Sequence, residues 1–458
     1  MIPVLTAEEM RTLEREAIAS GKVSSLDLQE RAARGAAGLV PPGIPVEVVA
    51  GPGNNGGDAL AVARLLKRRG ETVRVWALPR ATAWKGDAAV QAEKWGEPIS
   101  STEDATREFF NQGAWFVDGL FGLRANRPLE GAALSWSKIF VHRSTLALDQ
   151  PSWLRPDDPD GEGPGVTATA CFGHLKLCHA MEPSRSRCGA IHVVDTGLEA
   201  EQASHRLVQA PWLPSSRWNT HKRVKGHVAI RAGSMGMSGA AVLAAMGALR
   251  SGVGLVTVLT DPEIRAEIAA QIPEAMVRPW TGSIPDGVDV LLVGPGGVAD
   301  IPAWDGPLVL DAAALQEGAG PRWMRRPDTI LTPHAGEFHR LFELPKQNST
   351  QDRLDQTRAV SNGPGVCLLK GPQSLTVGGG INETWINDTG HWGLATGGTG
   401  DFLAGLVAGL RAQGLAPRES AASAAWLHGA CADRLGKGPL LPRDLFEELP
   451  KLVRDLYA

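Results

Sequence analysis

"VEVVAGPGNNGGDALAVARLLKRRG", residues 46–70, is the stretch whose reading decides the fold. Residues 46–50 are almost continuously apolar and β-branched, the pattern of a strand buried on both faces. "DALAVARLLKRRG" has helical spacing, and Asp58 is the expected N-cap, with Gly70 just past the end. The intervening "GPGNNGGD" supplies Gly51, Gly53, Gly56 and Gly57, which tolerate close backbone approach and positive φ. A helix starting there would aim unpaired N–H groups outward, toward an anion such as phosphate. Strand, glycine-rich turn and helix in this order form the repeating unit of a parallel sheet covered on both faces.

The same rhythm continues outward. "TVRVWAL" (72–78), "AWFVD" (114–118), "TLALD" (145–149) and "VTATACF" (166–172) read as further strands. Residues 200–222 break the pattern with prolines, paired serines and mixed charge, and a domain boundary is expected there. Strand patterns resume at 227–233, 255–259, 290–294, 308–311, 329–332 and 366–370, with a helix from about Gly239 to Ser251. The expected fold is α/β, with two doubly wound domains: a Rossmann-like three-layer domain over 1–205 and a second α/β domain over 218–458. A length of 458 residues suits two cores.

Composition excludes several classes. The chain is 43% hydrophobic and 21% charged, with a net charge of −4, which suits a globular protein and offers no basic footprint for nucleic acid. The apolar stretch 239–259 is interrupted by Arg250 and glycines, so no membrane partner is expected. No signal peptide is read at the start, and a cytoplasmic location is expected. Cys171, Cys178, Cys188, Cys367 and Cys431 form no CxxC pair, so free thiols are expected and zinc is not. The sequence leaves oligomeric state open, a homo-oligomer included.

Ligands of open parallel sheets bind beyond the carboxyl ends of strands. In this chain two separate sets of strand ends carry chemistry-bearing residues, so two sites are expected. In the first half Asn54, Asn55, Asp118, Asp149 and Ser152 are oxygen-bearing groups that could hold a monovalent or hard divalent cation. Lys176, after another strand, could form an acid/base pair with a strand-end aspartate. In the second half "ATGGTGDFLAGLVAGL" (395–410) places Gly397, Gly398 and Gly400 at a helix start, with Phe402, Leu403, Leu406, Val407 and Leu410 as one buried face. Exposed N–H groups and the helix dipole make an anion hole there. Asp401 at its mouth supplies the base that phosphoryl transfer to a hydroxyl needs.

"GPGNNGGDALAVARLL", "VDGLFGLRANRPLEG", "ALDQPSWL" and "VTATACFGHLK" together resemble the N-terminal NAD(P)H-hydrate epimerase family, the YjeF N-terminal domain, over about residues 5–200. The resemblance implies that Asn55, Asp118 and Ser152 hold K⁺. It implies that Asn54, Asn55, Gly56, Gly57, Asp58, Gly122, Arg127, Pro128 and Asp149 contact the hydrated nicotinamide nucleotide, and that Asp149 and Lys176 are the acid/base pair. Two positions depart from the family pattern. Trp153 replaces a glycine and is expected to narrow the pocket beside Asp149. Arg124 puts a charge where a ligand would pass, ahead of Asn126.

"HKRVKGHVAIRAGSMGMSGAAVLAAMGALRSGVGLVTV", "LLVGPGG", "ILTPHAGEFHRL", "LLKGPQSLTV" and the "GGTGD" segment resemble the ribokinase-like NAD(P)H-hydrate dehydratase family over about 220–455. The resemblance implies that Ala240, Gly296, His334 and Asp401 contact the hydrate. By the same likeness Lys370, Gly371, Pro372, Gln373, Ser374, Gly397, Gly398 and Gly400 contact ADP or ATP, and Glu337 helps to place Mg²⁺. The family's "DADAL" reads "DAAAL" at 311–315, so an acid is missing at Ala313, and "GPGLG" reads "GPGGV" at 294–298. The implied activity is bifunctional: epimerisation of the R and S hydrates NADHX and NADPHX, then dehydration of the S form to NADH or NADPH at the expense of ADP or ATP. The alternatives are a ribokinase-like small-molecule kinase, or an active dehydratase whose N-terminal half only binds.

Overall fold

The computed structural model describes residues 1–78, 84–102, 110, 113–125, 127–215 and 221–457. Asn126 and residues 216–220 of the expected boundary segment lie outside the described residues. The chain divides into two compact units, Pro3–Ser204 and His205–Ala458, the latter joined by Met1–Ile2.

The N-terminal unit is built on a seven-stranded sheet in the order Ser100–Ser101, Val73–Ala77, Val46–Ala50, Trp115–Gly119, Thr145–Leu148, Ala168–Phe172, Ala190–Val194. Every pairing in it is parallel. Alternation along Val46–Ala50 explains why both faces are covered. Val46, Val48 and Ala50 pack with Leu60, Ala63 and Leu66 of the following helix. Val49 points to the other side, into a cluster of Trp76, Phe116, Trp136 and Phe140. The chain runs outward from Val46–Ala50 in one direction and then returns to fill the other. The reversal lies between Val46–Ala50 and Trp115–Gly119, and a crevice is expected there.

The C-terminal unit carries a sheet whose strands run in the order His205–Val208, Ile381–Asn387, Leu375–Gly378, Val366–Leu369, Thr329–Leu331, Leu308–Leu310, Val290–Val293, His227–Arg231, Leu255–Thr260, Met276–Pro279. The strands from Val366–Leu369 to Met276–Pro279 are parallel. Leu375–Gly378 and Ile381–Asn387 form an antiparallel hairpin, and Leu375–Gly378 also runs antiparallel to Val366–Leu369. The reversal of strand order falls between His227–Arg231 and Val290–Val293.

Two expectations are corrected here. Residues 200–222 contain a strand, His205–Val208, paired in parallel with Thr384–Asn387, so this part of the expected linker is sheet. Only Leu207 and Val208 of its four residues are apolar, too few to stand out between polar neighbours. The helix Thr399–Ala412 was expected to bury one face, yet every residue from Phe402 to Leu410 is buried. It is sandwiched, and the glycines explain how. A Cβ at Gly405 would lie 1.9 Å from the Ala244 carbonyl oxygen, and one at Gly247 would lie 2.0 Å from that of Phe402. The helix Ser238–Arg250 therefore approaches at backbone distance. Among the described residues no helix is long and apolar enough to cross a membrane, and all five cysteines are free and buried.

Candidate active sites

In the N-terminal unit the helix begins at Asn54, four residues before the expected start, with Gly53 as N-cap. Asp58 is thus no cap but a buried side chain in the second turn. The reason is steric. A Cβ at Gly56 would sit 1.9 Å from the Gly51 carbonyl oxygen, and one at Gly57 would sit 2.8 Å from Gln29 Nε2 and 3.0 Å from Ala88 Cα. Only glycine lets the first helical turn tuck under the strand end. Gly56 and Gly57, predicted to touch the nucleotide, are buried packing positions and do not line the cavity. Their work is to present Asn54 and Asn55, which do line it.

That cavity, of about 350 Å³, lies at the strand-order reversal. It brings together Asn54, Asn55, Asp58, Gly122, Asp149 and Lys176 of the predicted residues. Arg127 and Pro128 are exposed and outside its lining. Lys176 Nζ donates to Asp149 Oδ1 at 2.5 Å and to the Phe172 carbonyl at 3.0 Å, and its side chain is 1% exposed. Burial works against the ammonium, but the Asp149 charge outweighs it and lifts the Lys176 pKa above the usual lysine value. Asp149 has φ +64, a left-handed conformation costly for a non-glycine residue and frequent at functional sites. His179, whose Nδ1 accepts from the Lys176 N–H, is pushed down to about 3 by burial and by Lys176, so it stays neutral.

Asp118 and Ser152 form a second buried group. Ser152 donates through Oγ to Asp118 Oδ1 at 2.6 Å and through its N–H to Oδ2 at 2.9 Å. Burial nevertheless raises the Asp118 carboxyl to about 6, and no ion-pair partner for it occurs among the described residues. A Cβ added at Gly122 would meet Asn55 Oδ1 at 3.0 Å and Asp149 Oδ2 at 3.2 Å, so these oxygens converge. Asn55 Nδ2 is buried without a partner. A buried carboxylate short of positive charge, with the Ser152 hydroxyl on it, is oxygen chemistry that fits a monovalent cation.

Sequence reasoning missed Glu14, which lines the same cavity from the helix Ala7–Ala19. Burial, then the Asp149 charge, raises its pKa. A charged residue in "RTLERE" reads as a solvated helix face, and only its i+4 spacing from Met10 and to Ile18, both lining residues, would have betrayed it. Trp153 is the converse case. Its Nε1 donates to the Pro164 carbonyl at 3.1 Å, and its ring packs near Phe140, Leu154 and Cys178. It does not line the cavity, so the expected narrowing beside Asp149 does not occur.

In the C-terminal unit Gly398 is the N-cap of Thr399–Ala412, with φ +90. A Cβ there would lie 2.3 Å from Leu243 Cδ1. The glycine is thus required both by backbone conformation and by packing. The N–H groups of Gly400 and Asp401 have no acceptor among the described residues, as the early positions of a helix allow. A Cβ at Gly400 would lie 3.4 Å from Lys370 Nζ, so the ammonium hangs across this helix start. Lys370 in turn pairs with Asp311 at 2.7 Å, and Asp311 accepts from Thr332 Oγ1 at 2.9 Å. Burial, then the Asp311 charge, pushes Asp401 up to about 7, with Lys370 opposing. A carboxyl balanced near neutrality beside two free N–H groups and an ammonium is suited to take a proton from a hydroxyl while anionic charge gathers next to it.

An open cleft of about 630 Å³ fronts this group and is lined by Ala240, Gly296, Gly397, Gly398 and Asp401 of the predicted residues, with Glu337. His334, also predicted to contact the hydrate, is outside its lining. Its Nδ1 accepts from the N–H groups of Gly336 and Glu337, and its own N–H donates to Glu337 Oε2, which makes it the capping residue of Ala335–Leu341. The ring is 59% exposed and its Nε2 faces Glu337 Oε1 at 3.4 Å. Lys370 to Ser374 follow the next strand. Arg353, missed from sequence, donates to the Pro372 carbonyl at 2.8 Å and fixes that loop, in which Gln373 has φ +56.

Residues 228–451 match the NAD(P)H-hydrate dehydratase family, and residues 25–178 match the family described as YjeF-related protein N-terminus. The bifunctional NAD(P)H-hydrate repair enzyme Nnr of Moorella thermoacetica is 31% identical over 99% of this chain and 97% of its own length. The enzyme of the same description from Coxiella burnetii is 32% identical over 97% of this chain and 98% of its own. Among solved structures, the ADP/ATP-dependent NAD(P)H-hydrate dehydratase of Bacillus subtilis, co-crystallised with ATP and Mg²⁺, is 29% identical. It covers 54% of this chain and 99% of its own, with a TM-score of 0.48.

Proposed function

The chain belongs to the family of bifunctional NAD(P)H-hydrate repair enzymes, and from that premise we propose which of its residues carry each half of the repair. The protein epimerises the R and S hydrates of NADH and NADPH and dehydrates the S form with ADP or ATP. The observation that carries the assignment of roles is the coexistence of two polar constellations in one chain. One is an aspartate–lysine pair in the N-terminal cavity, and the other is an aspartate at a free helix N-terminus in the C-terminal cleft.

In the C-terminal half, Asp401 accepts the proton of the hydrate's C6 hydroxyl as its oxygen takes a phosphoryl group from the nucleotide. The Gly400 and Asp401 N–H groups and Lys370 hold the negative charge of that group. Loss of the phosphate from C6, with a proton leaving C5 to the departing phosphate or to water, then restores the C5–C6 double bond of the reduced nicotinamide ring. Lys370 to Ser374, with Gly397, Gly398 and Gly400, hold the adenine nucleotide. Ala240, Gly296, His334 and Asp401 hold the hydrate. Glu337, which lines the same cleft as Asp401, would help to hold a Mg²⁺ ion bound mainly by water and phosphates, and the ion would supply charge neutralisation. In the N-terminal half, Lys176 is the protonated partner and Asp149 the acceptor for proton movements at C6. Asn55, Asp118 and Ser152 fit K⁺, which would supply the positive charge the buried Asp118 lacks. The functional domains take the limits 1–205 and 218–458, and the segment that joins them adds the strand His205–Val208 to the sheet of the second.

The test is incubation with mixed R and S hydrates plus ADP or ATP, followed by absorbance of the reduced cofactor. Conversion of both epimers is expected. Phosphorylation of an unrelated alcohol with no reduced cofactor formed would make the C-terminal half a small-molecule kinase.

A further inference from the structure

Arg340 stands on the helix Ala335–Leu341, whose Phe338 and Leu341 are buried and fix it in place. It lines the C-terminal cleft together with Ala240, Gly296, Ala313 and Asp401. Its guanidinium makes no hydrogen bond or ion pair with any described residue. Of the acids that line the cleft, Glu337 Oε2 accepts from the His334 N–H at 2.8 Å, and Asp401 forms no ion pair with Arg340. The lining segment 312–313 is Ala-Ala and brings no acid to it. A five-donor fork at the edge of a substrate cleft, with no internal partner, matches a phosphate and not a neutral group. None of Lys370 to Ser374 lines this cleft, whereas Ala240, Gly296 and Asp401, placed at the hydrate, do, together with Gly397 and Gly398.

We propose that Arg340 binds a phosphate of the hydrated dinucleotide, either its bridging pyrophosphate or a 2′-phosphate, and so acts as a substrate-selecting residue of the dehydratase half. The inference rests on the proposed placement of the hydrate in this cleft. The two can fail separately: if Asp401→Asn leaves dehydration intact, the placement is wrong, whereas the proposal fails on Arg340 alone.

The experiment is steady-state kinetics of the full chain with S-NADHX and with S-NADPHX, each against varied ADP or ATP, for wild type, Arg340→Gln and Arg340→Lys. The glutamine variant should raise the KM for hydrate by roughly 5- to 30-fold, since the site is partly exposed. Its kcat and its KM for the adenine nucleotide should stay within about twofold, and lysine should recover part of the loss. A loss confined to S-NADPHX assigns the 2′-phosphate, and an equal loss with both substrates assigns the pyrophosphate. An unchanged KM for both hydrates, or a rise in the KM for ADP or ATP instead, overturns the proposal. So does an equal fall in kcat with glutamine and lysine, because that would mark a structural role.

Discussion

In the N-terminal unit the adjacent glycines lie inside the helix, at Gly56 and Gly57, whereas in the C-terminal unit Gly397 and Gly398 lie ahead of it. The first pair is there for what it lacks, a Cβ that would strike the Gly51 carbonyl, Gln29 or Ala88. It pulls the helix start under the strand end and turns Asn54 and Asn55 into the cavity. The second arrangement leaves the N–H groups of Gly400 and Asp401 free at the mouth of a cleft. The acids differ in the same way. Asp149 already has its counter-charge, Lys176 at 2.5 Å. Asp401 has none of its own, because Lys370 is shared with Asp311, and burial leaves it titrating at about 7. Similar-looking motifs thus build one closed, pre-paired site and one open site that acquires its charge balance from the ligand.

The sharpest way to break this contrast is Asp401→Asn. Dehydration should fall by about 10²–10⁴, the range for losing a positioned base, while epimerisation is untouched. The wild-type rate should rise with pH through about 7 as the base ionises, provided nucleotide binding does not shift that value. Stability of the free protein should move the opposite way. A carboxyl whose folded pKa lies above its unfolded value favours the fold when protonated, and that contribution is lost as pH rises from about 4 to about 7. Asp401→Asn should therefore melt higher than wild type at pH 8 and not at pH 4. Equal melting temperatures at both would mean that Asp401 is not raised.

A second substitution probes the closed site. Asp149→Asn keeps the shape but removes the counter-charge of Lys176, and epimerisation should fall by on the order of 10²-fold with dehydration of pure S hydrate unchanged. The expected side effect is instability, because a buried ammonium is left without its partner. Epimerisation at the wild-type rate in a folded variant would remove the pair from the mechanism.

The glycines give the third test. Gly56→Ala should destabilise the N-terminal unit by about 1–3 kcal/mol through overpacking, because its Cβ would meet the Gly51 carbonyl oxygen at 1.9 Å. Gly397→Ala should cost little stability, since no atom lies within 4 Å of a Cβ there. Denaturant melts of the two variants compare them directly. Equal losses would contradict the division between packing glycines and glycines that expose a helix start.

Much of this was legible from sequence because buried parallel strands are written as apolar runs. Val46–Ala50, Val290–Val293 and Val366–Leu369 each fall within a residue of the expected limits. What escaped lies at edges or near the rims. Met276–Pro279 is mostly exposed and ends in proline, and Ala190–Val194 buries only its last residue. Leu375–Gly378 runs into three consecutive glycines, which read as loop. At the sites, strand-end motifs pointed to Asp149, Lys176 and Lys370, and a glycine-rich helix start pointed to Asp401. Glu14 and Arg340 sit on helices whose charges look solvated until the tertiary fold turns them toward a cavity. The N-cap misplacement at Asp58 has the same origin, since glycines that look like a turn become helical once a neighbouring backbone closes on them.

The smallest expected effect belongs to the residue that looked most disruptive. Trp153 follows Ser152 in the "DQPSW" segment, one residue from the proposed cation site, and in sequence its indole seems bound to fill the cavity. In this turn the two side chains part: Ser152 bonds to Asp118, and Trp153 donates to the Pro164 carbonyl. Its ring covers Gly163, where a Cβ would lie 2.3 Å from Trp153 Cδ1, and stands 6.4 Å from the Phe140 ring. Trp153→Phe keeps the aromatic packing and removes one hydrogen bond, worth about 1 kcal/mol. Epimerisation should stay within about twofold of wild type, and the melting temperature should drop by roughly 2–4 °C. The rate of R-to-S conversion, measured with dehydration made non-limiting, checks the first expectation, and calorimetry checks the second. A severalfold gain in rate would mean that the indole does reach the nucleotide. The closed site would then owe its shape to this tryptophan as well as to its glycines.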